Sequence, residues 1–373
     1  MNTALIQLDE ESTFAEVTGR AADELSRGHL VAFSTETVYG VAARADLSEA
    51  VTRLRAVKAR GPDRAFTVHI AAPNDVFAYA PSLPGLAHRL ILKAWPGPLT
   101  LIVDVDNPST APAVAELDRS AVSAIYHKNT IGLRCPDDRV AAAILGSVRA
   151  PVVAASANLA GKPPPVTGSE ILADLGGKIE LIVDSGPTKY ARPSTIVRVD
   201  ASSYKVIREG VYDAGIVRRM TKLRILFVCT GNTCRSPMAE GLAKKMLVDR
   251  LGCTVDELPE RGVEVSSAGT AGGGGGASDH AVAVMNRRDV SLSDHVSTPL
   301  SADQLQQADH IFVMTEGHRD AVLSMEPSVA DRVSLLVDGE NVRDPVGGSE
   351  SDYEECARMV EQGLQSRLQE VIV

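Results

Sequence analysis

One short segment, Cys229-Thr-Gly-Asn-Thr-Cys-Arg-Ser-Pro237, combines the residue types that cleave a phosphate ester by covalent catalysis. A Cys229 thiolate can attack phosphorus, and Arg235 can return to the same side and hold two phosphate oxygens with its forked guanidinium. Ser236 can hydrogen-bond the thiolate and ease its departure. Backbone N–H groups in residues 230–235 can converge on the same tetrahedral anion. The alternative is a buried structural cysteine at a strand end, since free cysteine is among the most buried residue types.

This chemistry requires a strand that ends at the cysteine and a helix that begins after the loop. Residues 223–228 have the composition of a buried strand, and a helix is predicted from about Pro237, a residue suited to the first helical position, to residue 250. The positive end of that helix would stabilise both the thiolate and a bound phosphate. Gly231 and Asn232 are predicted to adopt the positive φ values that a tight anion loop needs.

The remaining pattern predicts two α/β domains. After the loop, strands at 263–266 and 310–314 alternate with a helix at 279–288, which indicates a small parallel sheet of the Rossmann type. Upstream, a helix at 14–28 is followed by strands at 29–34, 67–71, 100–105, 131–134, 152–155, 181–184 and 195–199, which predicts a twisted α/β sheet. The predicted domains are residues 1–215 and 223–373, joined by a polar linker at 216–222.

Bulk composition excludes several classes of protein. With 373 residues, of which 44% are apolar and 23% charged, the chain can bury two cores. A net charge of -10 argues against whole-surface attraction to nucleic acid or anionic membranes. Five cysteines fit a reducing compartment, and their spacing is not typical of a metal site. Without a secretory signal or a run long enough to cross a bilayer, we expect a cytoplasmic protein with no membrane or metal site.

Residues 223–373 resemble the low-molecular-weight protein tyrosine phosphatase family. The loop of cysteine, five residues and arginine continues as Ser236-Pro-Met-Ala-Glu240, and Ser267-Ala-Gly269, Ser293-Asp-His295 and Asp344-Pro345 follow in the family's order. The resemblance implies four catalytic residues: Cys229, Arg235, Ser236 and Asp344. Asp344 would protonate the leaving group and then activate water against a phosphocysteine intermediate. The implied phosphate loop consists of Thr230, Gly231, Asn232, Thr233 and Cys234, and the domain would need no cofactor.

In this family Cys234 lies within disulfide reach of Cys229, so it would protect Cys229 by reversible oxidation or serve in packing.

Two positions bear on the substrate of this domain. Thr233 stands where tyrosine-directed members carry a bulky aliphatic residue and where the family's protein arginine phosphatases carry threonine. Asp344-Pro-Val-Gly-Gly348 lacks the aromatic pair that would sandwich a phenol ring, although Val346 also replaces the aromatic residue expected in the arginine group. We therefore expect a phosphorylated protein substrate carrying phosphoarginine, with phosphotyrosine as the alternative. Arsenate reduction would need a further closely spaced cysteine pair, which Cys253 and Cys356 do not provide.

A second candidate site lies in the first domain. The run 53–64 is dense in basic residues, a pattern that by itself is more often a solvated helix face. The segment Ser34-Thr-Glu-Thr-Val-Tyr-Gly40 follows a predicted strand and, taken alone, could be an ordinary capping turn. Together with Lys58-Ala-Arg60, Trp95-Pro-Gly-Pro-Leu-Thr100, Gly132-Leu-Arg-Cys-Pro136 and Ser156-Ala-Asn158, these segments resemble the threonylcarbamoyl-AMP synthase (YrdC-like) family over residues 12–210.

That resemblance implies a reaction in which L-threonine, bicarbonate and ATP give threonylcarbamoyl-adenylate and pyrophosphate. The adenylate is the activated donor for modifying adenosine 37 of certain tRNAs, and ATP would be used with Mg²⁺. The implied nucleotide-binding residues are Lys58, Arg60, Ser156, Asn158 and Arg208. The implied threonine-binding residues are Thr35, His69, Arg134 and Ser194. A histidine on a strand, such as His69, is otherwise more often a core residue than a ligand.

The predicted protein is thus a cytoplasmic bifunctional enzyme, a YrdC-like synthase domain fused to a small phosphatase domain. Its predicted partners are a phosphorylated protein, the three small substrates, and tRNA or the tRNA-modification machinery, with no membrane. In the alternative, residues 1–215 form a catalytically silent nucleotide- or RNA-binding module attached to a protein tyrosine phosphatase. The basic cluster would serve that role equally well.

Overall fold

The computed structural model describes residues 2–8, 11–61, 64–201 and 203–371. The chain divides into two compact units, Met1–Thr221 and Lys222–Val373. Each unit packs helices against a β-sheet, which confirms the predicted α/β class with two domains. No helix within the described ranges is long and apolar enough to cross a membrane.

The first unit is built on one mixed sheet of eleven strands within the described residues. The strands are β1 (Ala4–Gln7), β2 (Val31–Phe33), β3 (Gly40–Arg44), β4 (Thr67–His69), β5 (Leu99–Asp104), β6 (Tyr126–His127), β7 (Thr130–Arg134), β8 (Val152–Ser156), β9 (Leu181–Asp184), β10 (Thr195–Val199) and β11 (Tyr204–Arg208). The helices are α1 (Phe14–Ser26), α2 (Ser48–Val57), α3 (Val76–Tyr79), α4 (Gly85–Ala94), α5 (Arg119–Ile125), α6 (Arg139–Ser147), α7 (Gly168–Leu175) and α8 (Ala214–Thr221).

The sheet order brings residues that are far apart in sequence onto neighbouring strands. The order is β1-β9-β2-β3-β8-β4-β7-β5-β10-β11, with β6 paired to β7. In this register His69 of β4 is opposite Arg134 of β7, and Arg134 is opposite Thr100 of β5. Opposite residues on adjacent strands point to the same face, so these three polar side chains form one row across the sheet.

The predicted linker at 216–222 is mostly helical. Residues 214–221 form α8, and the fully buried Val217 packs into the main core of the first unit. The Arg89 Nε of α4 donates to the Thr221 carbonyl at 2.9 Å, which ties the end of α8 to the same unit. Polar residues in this stretch, including Arg218 and Arg219, belong to the outer face of an amphipathic helix, a pattern that resembles a linker in sequence. The division between the two units lies at 221/222, within the stretch predicted as the linker.

The second unit contains a four-stranded, wholly parallel sheet of order β13-β12-β14-β15. Its strands are β12 (Leu223–Cys229), β13 (Val263–Gly269), β14 (His310–Val313) and β15 (Val333–Leu335). Its helices are α9 (Arg235–Leu251), α10 (Asp279–Asn286), α11 (Ala302–Gln307), α12 (Glu316–Met325) and α13 (Glu350–Glu370). This is the small parallel sheet that the sequence predicts.

The central strand β12 is covered on both faces. Ile225, Phe227 and Cys229 join the core cluster beneath α9 and α13, while Leu226 and Val228 join the cluster beneath α11 and α12. A strand buried on both faces is apolar instead of alternating with polar residues, as residues 225–229 are, whereas Arg224 near the start of the strand is only half-buried. The last residue of β12 is therefore held rigidly at the carboxyl edge of the sheet, where parallel α/β folds bind ligands.

Helix α9 starts at the loop and stops at a glycine. Gly252 has φ 60° and ψ 46°, a left-handed conformation that terminates the helix. Pro237 lies inside the first turn, where a missing N–H costs nothing. The observed helix therefore begins two residues before the predicted start and carries Arg235 in its first turn.

Candidate active sites

The loop between β12 and α9 surrounds the Cys229 thiol. Cys229 ends β12 and Arg235 begins α9, so the two chemically active side chains are anchored in rigid elements. The Cys229 Sγ lies 3.0 Å from Ser236 Oγ, and the Asn232 backbone N–H donates to the same sulfur at 3.3 Å. All four side chains are buried. The sulfur is thus faced by two hydrogen-bond donors, an arrangement that stabilises negative charge on it.

Asn232 fixes the shape of the loop. Its φ of 52° lies in the left-handed region, as predicted, whereas Gly231 does not have a positive φ, and that part of the prediction was wrong. One left-handed residue is enough to turn the loop, because Asn232 is tied on three sides. Its Nδ2 donates to Ser236 Oγ and Ser267 Oγ, both at 2.8 Å, and its Oδ1 accepts from the Thr298 N–H at 2.8 Å. These bonds offset the cost of the left-handed backbone.

Gly269 lets the loop approach the neighbouring strand. A Cβ at this position would lie 2.6 Å from the Thr230 carbonyl oxygen and 3.0 Å from the Asn232 nitrogen. Any larger residue would push the loop away from β13. The sequence signal for this constraint is the Ser267-Ala-Gly269 segment, which supplies both the Ser267 hydroxyl and the glycine.

Arg235 is buried with one polar atom unpartnered. Its Nη2 donates to Asp344 Oδ2 at 2.5 Å and to Thr230 Oγ1 at 3.3 Å, and its Nη1 donates to the Val342 carbonyl at 3.4 Å. Only 5% of the side chain is exposed, and the Nε has no partner among the described residues. A buried N–H without an acceptor is costly, so the Nε marks the place where an oxyanion would be bound. The structure thus brings together Arg235 and Asp344, two of the residues that the sequence analysis selected.

His318 belongs to this cluster although the sequence analysis did not select it. Its Nε2 lies 2.8 Å from Thr230 Oγ1, and its Nδ1 lies 2.8 Å from Thr315 Oγ1. Burial, and then the charge of Arg235, lower the pKa of His318 to about 4, so the ring is neutral at neutral pH. The available signal was Thr315, which caps α12 by accepting from the His318 N–H at 3.3 Å.

Thr233 and Cys234 complete the predicted loop. The Cys234 Sγ lies 3.3 Å from both Ser278 Oγ and Tyr353 Oη, and the Thr233 hydroxyl lies 3.6 Å from the same sulfur. Cys234 is buried and, like the other four cysteines, is a free thiol. The Thr233 carbonyl accepts from the Ser278 N–H at 2.9 Å, so the loop is tied to the start of α10 as well.

In the first unit, the residues that the sequence analysis selected share one cavity of about 610 Å³. They come from separate strands and loops, yet all of them line its wall. These are Thr35, Lys58, Arg60, His69, Arg134, Ser156, Asn158, Ser194 and Arg208. Further cavity residues that the sequence analysis did not select include Arg64, Phe66, Thr67, His127 and Thr130.

Lys58 joins two sides of this cavity. Its Nζ donates to the Ser156 carbonyl at 2.6 Å, to the Asn158 Oδ1 at 3.0 Å and to the Asn158 carbonyl. The Ser156 hydroxyl in turn donates to Asn158 Oδ1 at 2.5 Å. Burial, and then the charge of Arg60, lower the pKa of Lys58 to about 8. Three acceptors match the three N–H groups of the ammonium, so Lys58 holds the end of β8 against the end of α2.

Arg60 stacks on an aromatic ring. Its guanidinium carbon lies 4.7 Å from the centre of the Phe66 ring, and its Nη2 donates to the Ala65 carbonyl. Burial lowers the pKa of Arg60, and Arg55 and Arg64 add to that effect. Its buried Nε has no partner among the described residues, so a donor remains available at the cavity wall.

Arg134 is the centre of a buried polar cluster. Its Nη2 donates to Glu36 Oε2 at 3.0 Å, to Thr37 Oγ1 at 2.6 Å and to Thr35 Oγ1 at 3.3 Å. The Arg134 Nε and the Glu36 Oε1 are buried and lack partners among the described residues. Burial raises the pKa of the Glu36 carboxyl, and the Arg134 charge opposes part of that shift. The sequence analysis noted the Thr-Glu-Thr segment but selected only Thr35, because the pairing of Glu36 with Arg134 spans 98 residues.

The cavity is also lined by His69, Ser194 and Arg208. Arg208 Nη2 donates to the Ser194 carbonyl at 2.7 Å, and the Ser194 hydroxyl lies 2.9 Å from Thr100 Oγ1. Burial, and then the charge of Arg134, lower the pKa of His69 to about 3, so this ring is neutral. Its Nδ1 lies 3.2 Å from the Thr67 carbonyl. Neutral histidine and hydroxyl groups beside arginines suit an uncharged or anionic ligand.

The chemistry of this lining favours anions and does not form a magnesium site. Five cationic residues (Lys58, Arg60, Arg64, Arg134 and Arg208) line the cavity, and no Asp or Glu does so among its described residues. Nor do the described ranges contain a cluster of three side chains able to hold a metal ion. Magnesium is commonly bound through carboxylates together with substrate phosphates. Any magnesium ion here would therefore be carried by the phosphates of a nucleotide.

Comparison with known proteins separates the chain into two matched parts. The family model Sua5/YciO/YrdC, described as telomere recombination, matches residues 23–210, which is 188 of 373 residues. The model of the low molecular weight phosphotyrosine protein phosphatases matches residues 224–372. The threonylcarbamoyl-AMP synthase of Bacillus subtilis is 36% identical over 203 residues, which cover 54% of this chain and 56% of that protein. The chain thus spans about half the length of this curated relative.

Two solved structures illustrate what the chain is similar to. A structure of Sua5 from Pyrococcus abyssi has 23% identity and a TM-score of 0.51, covering 76% of this chain and 95% of that one. At this identity the likeness concerns the fold. A structure of a YwlE mutant from Bacillus subtilis has 35% identity and a TM-score of 0.35, covering 40% of this chain and 99% of that one.

Proposed function

Because this chain belongs to the Sua5/YciO/YrdC family and its residues 224–372 match the low molecular weight phosphotyrosine protein phosphatases, we propose that it is a two-domain enzyme. The second unit removes a phosphoryl group from a protein through a phosphocysteine intermediate. The first unit makes threonylcarbamoyl-AMP from L-threonine, bicarbonate and ATP. The five free cysteines, one of them the proposed nucleophile, suit the reducing cytoplasm as the place of action.

The observation that carries the phosphatase proposal is the pairing of a hydrogen-bonded thiol with an arginine whose buried Nε has no acceptor in the described part of the chain. The Cys229 thiolate attacks phosphorus, an S–P bond forms, and the bond to the leaving group breaks as Asp344 supplies a proton. A water molecule then attacks the phosphocysteine and gives its proton to Asp344, and the S–P bond breaks to release phosphate. Arg235 holds the phosphoryl oxygens in both steps.

The synthase proposal is supported by a carboxylate-free cavity with five cations. The threonine amine and bicarbonate combine to a carbamate with loss of water. A carbamate oxygen then attacks the α-phosphorus of ATP, and pyrophosphate leaves. Arg60 and Arg208 are assigned to the nucleotide phosphates as hydrogen-bond donors, and Lys58, whose N–H groups have protein acceptors, contributes its positive charge. Arg134, whose Nε has no partner in the ranges that the structure describes, is assigned to the threonine carboxylate together with Thr35, His69 and Ser194. Magnesium enters with ATP, and tRNA modification consumes the product.

Two assays on one purified preparation test both halves. Hydrolysis of p-nitrophenyl phosphate reports on the second unit, and pyrophosphate release from ATP, with and without L-threonine and bicarbonate, reports on the first. We expect pyrophosphate release that requires both small substrates. A preparation that hydrolyses the aryl phosphate and binds ATP, but releases no pyrophosphate, would reduce the first unit to a silent nucleotide-binding module.

The proposed role of Lys58 predicts a pH dependence of ATP binding. With its pKa lowered to about 8, the Lys58 ammonium loses its proton as the pH rises above that value. We therefore expect the Kd for ATP to increase by about tenfold for each pH unit above about 8. In Lys58→Arg the guanidinium stays protonated, so the Kd should be nearly constant from about pH 7 to about pH 9. Isothermal titration of both proteins at several pH values would measure this. The same pH dependence in the variant would remove Lys58 as its cause.

The preference for phosphoarginine is proposed from Thr233 and from the lack, in residues 344–348, of the aromatic pair that would sandwich a phenol ring. Thr233→Ile replaces a hydroxyl that can hydrogen-bond a guanidinium with an aliphatic surface that suits a phenol ring. We expect the ratio of kcat/KM for a phosphoarginine peptide to that for a phosphotyrosine peptide to fall by about tenfold or more. An unchanged ratio in a folded variant would count against an arginine-directed pocket.

A further inference from the structure

His318 is placed to act on the phosphate clamp without touching a substrate itself. It is 7% exposed, and it is carried by α12, whose first turn is capped by the Thr315 hydroxyl. Its two ring nitrogens lie 2.8 Å from two threonine hydroxyls, Thr315 Oγ1 on its own element and Thr230 Oγ1 on the phosphate loop. The side chain thus joins the phosphate loop to α12.

Thr230 extends this series of hydrogen bonds from His318 to the Arg235 guanidinium. The Arg235 Nη2 can only donate, so at 3.3 Å the Thr230 Oγ1 is its acceptor. We infer that the Thr230 hydroxyl donates a hydrogen bond to the neutral His318 Nε2. The lone pairs of the Thr230 oxygen then face Arg235. The His318 Nδ1–H then donates to Thr315 Oγ1. The Arg235 Nη2, the Thr230 hydroxyl and the His318 Nδ1 thus each donate to the next member of the series, which favours a single arrangement.

The hydrogen bonds from His318 through Thr230 to Arg235 matter most when the Asp344 carboxyl moves away from Arg235. Asp344 Oδ2 is 2.5 Å from the Arg235 Nη2, but the proposed reaction needs this carboxyl at the leaving group. During that step the remaining protein acceptors of the guanidinium are Thr230 Oγ1 and the more distant Val342 carbonyl at 3.4 Å. Arg235 keeps its orientation toward the phosphoryl oxygens only if the Thr230 hydroxyl is itself fixed.

We propose that His318 is a positioning residue that fixes the Thr230 hydroxyl and, through it, the Arg235 guanidinium in the orientation that binds a phosphoryl group. This inference rests on the proposed phosphatase function. It concerns the orientation of the clamp and not the nucleophile, so the reactivity of the Cys229 thiol should not depend on it.

The test is a double-mutant cycle on the full chain, read by the Kd of inorganic phosphate from isothermal titration and by kcat and KM for p-nitrophenyl phosphate. His318→Ala and Thr230→Val should each weaken phosphate binding by about tenfold, since each removes one hydrogen bond of the series that orients the guanidinium. The double variant should be no weaker than either single variant, because both changes break the same series. His318→Gln, whose amide can reach Thr230, should recover most of the affinity.

Two controls separate positioning from folding. His310 is the first residue of β14 and lies at the edge of the sheet opposite the loop that follows β12. His310→Gln should therefore leave the phosphate affinity unchanged. The alkylation rate of Cys229 by iodoacetamide should be the same in all variants. Thr230 is exposed, so Thr230→Val should fold even where His318→Ala does not.

Three outcomes would overturn the proposal. Additive losses in the double variant would show independent effects, and unchanged phosphate affinity in folded Thr230→Val would show that the hydroxyl does not position Arg235. A wild-type chain that does not bind phosphate would remove the clamp altogether. If the wild type binds phosphate but does not hydrolyse the aryl ester, the proposed phosphatase function fails, and the cycle is still decided by the phosphate affinities.

Discussion

Cys229→Ser is expected to abolish hydrolysis of p-nitrophenyl phosphate, with kcat lowered by ~10⁴-fold or more. A serine hydroxyl at this position keeps its proton, because its neighbours, the Ser236 hydroxyl and the Asn232 N–H, are donors and not bases. Arg235 is unchanged, so inorganic phosphate should still bind with nearly its normal Kd. The combination of lost turnover and retained binding, measured by steady-state kinetics and isothermal titration, identifies a nucleophile and excludes a purely structural cysteine.

The matched control for this variant is Cys253→Ser. Cys253 is a half-buried thiol just beyond the end of α9, away from the loop, and its replacement should leave kcat unchanged. Residual turnover in Cys229→Ser above ~1% of the wild-type rate would contradict covalent catalysis by this thiol. Equal losses in both variants would point to destabilisation of the second unit.

The phosphate loop could be predicted from the sequence because its residues are contiguous. A buried strand, a turn with Gly-Asn and a helix starting near a proline determine where Cys229 and Arg235 must lie. The strands at 181–184 and 195–199 were likewise predicted with their observed bounds. In these segments the hydrophobic pattern of the sequence agrees with the burial of the residues in the fold. Such agreement is what allows secondary structure to be predicted from the pattern.

Contacts between distant segments could not be derived from pattern. His318 meets Thr230 across 88 residues, and Glu36 meets Arg134 across 98. The local sequence marks His318 only as part of a helix cap and Glu36 only as part of the Thr-Glu-Thr segment, and neither pattern identifies the distant partner. The cavity residues of the first unit were selected through a family resemblance, and the strand order that brings them together depends on the pairing of β4, β7 and β5. For α8 the local pattern was present but was interpreted wrongly. The polar face of this amphipathic helix was interpreted as a linker.

Asp344→Ala is expected to lower kcat by about 10²- to 10⁴-fold, the usual contribution of a general acid, while inorganic phosphate binds more tightly. The second effect follows from the ion pair of Asp344 with Arg235, in which Oδ2 lies 2.5 Å from Nη2. This carboxylate competes with an incoming oxyanion for the same guanidinium. Because 46% of the Asp344 side chain is exposed, the pair is weak, and its loss should tighten phosphate binding by about two- to fivefold.

The leaving group distinguishes the two roles of Asp344. A phenolate needs a proton more than p-nitrophenolate does, so the loss in Asp344→Ala should be larger for phenyl phosphate than for p-nitrophenyl phosphate. Asp344→Asn keeps a polar oxygen near Arg235 but cannot supply the proton. It should have the same kcat as Asp344→Ala and should bind phosphate less tightly than Asp344→Ala does. Equal losses for both substrates would exclude Asp344 as the proton donor and leave it only as a partner of the clamp. A weaker affinity for phosphate in Asp344→Ala would instead show that the ion pair holds Arg235 in place, which is the role assigned above to His318 and Thr230.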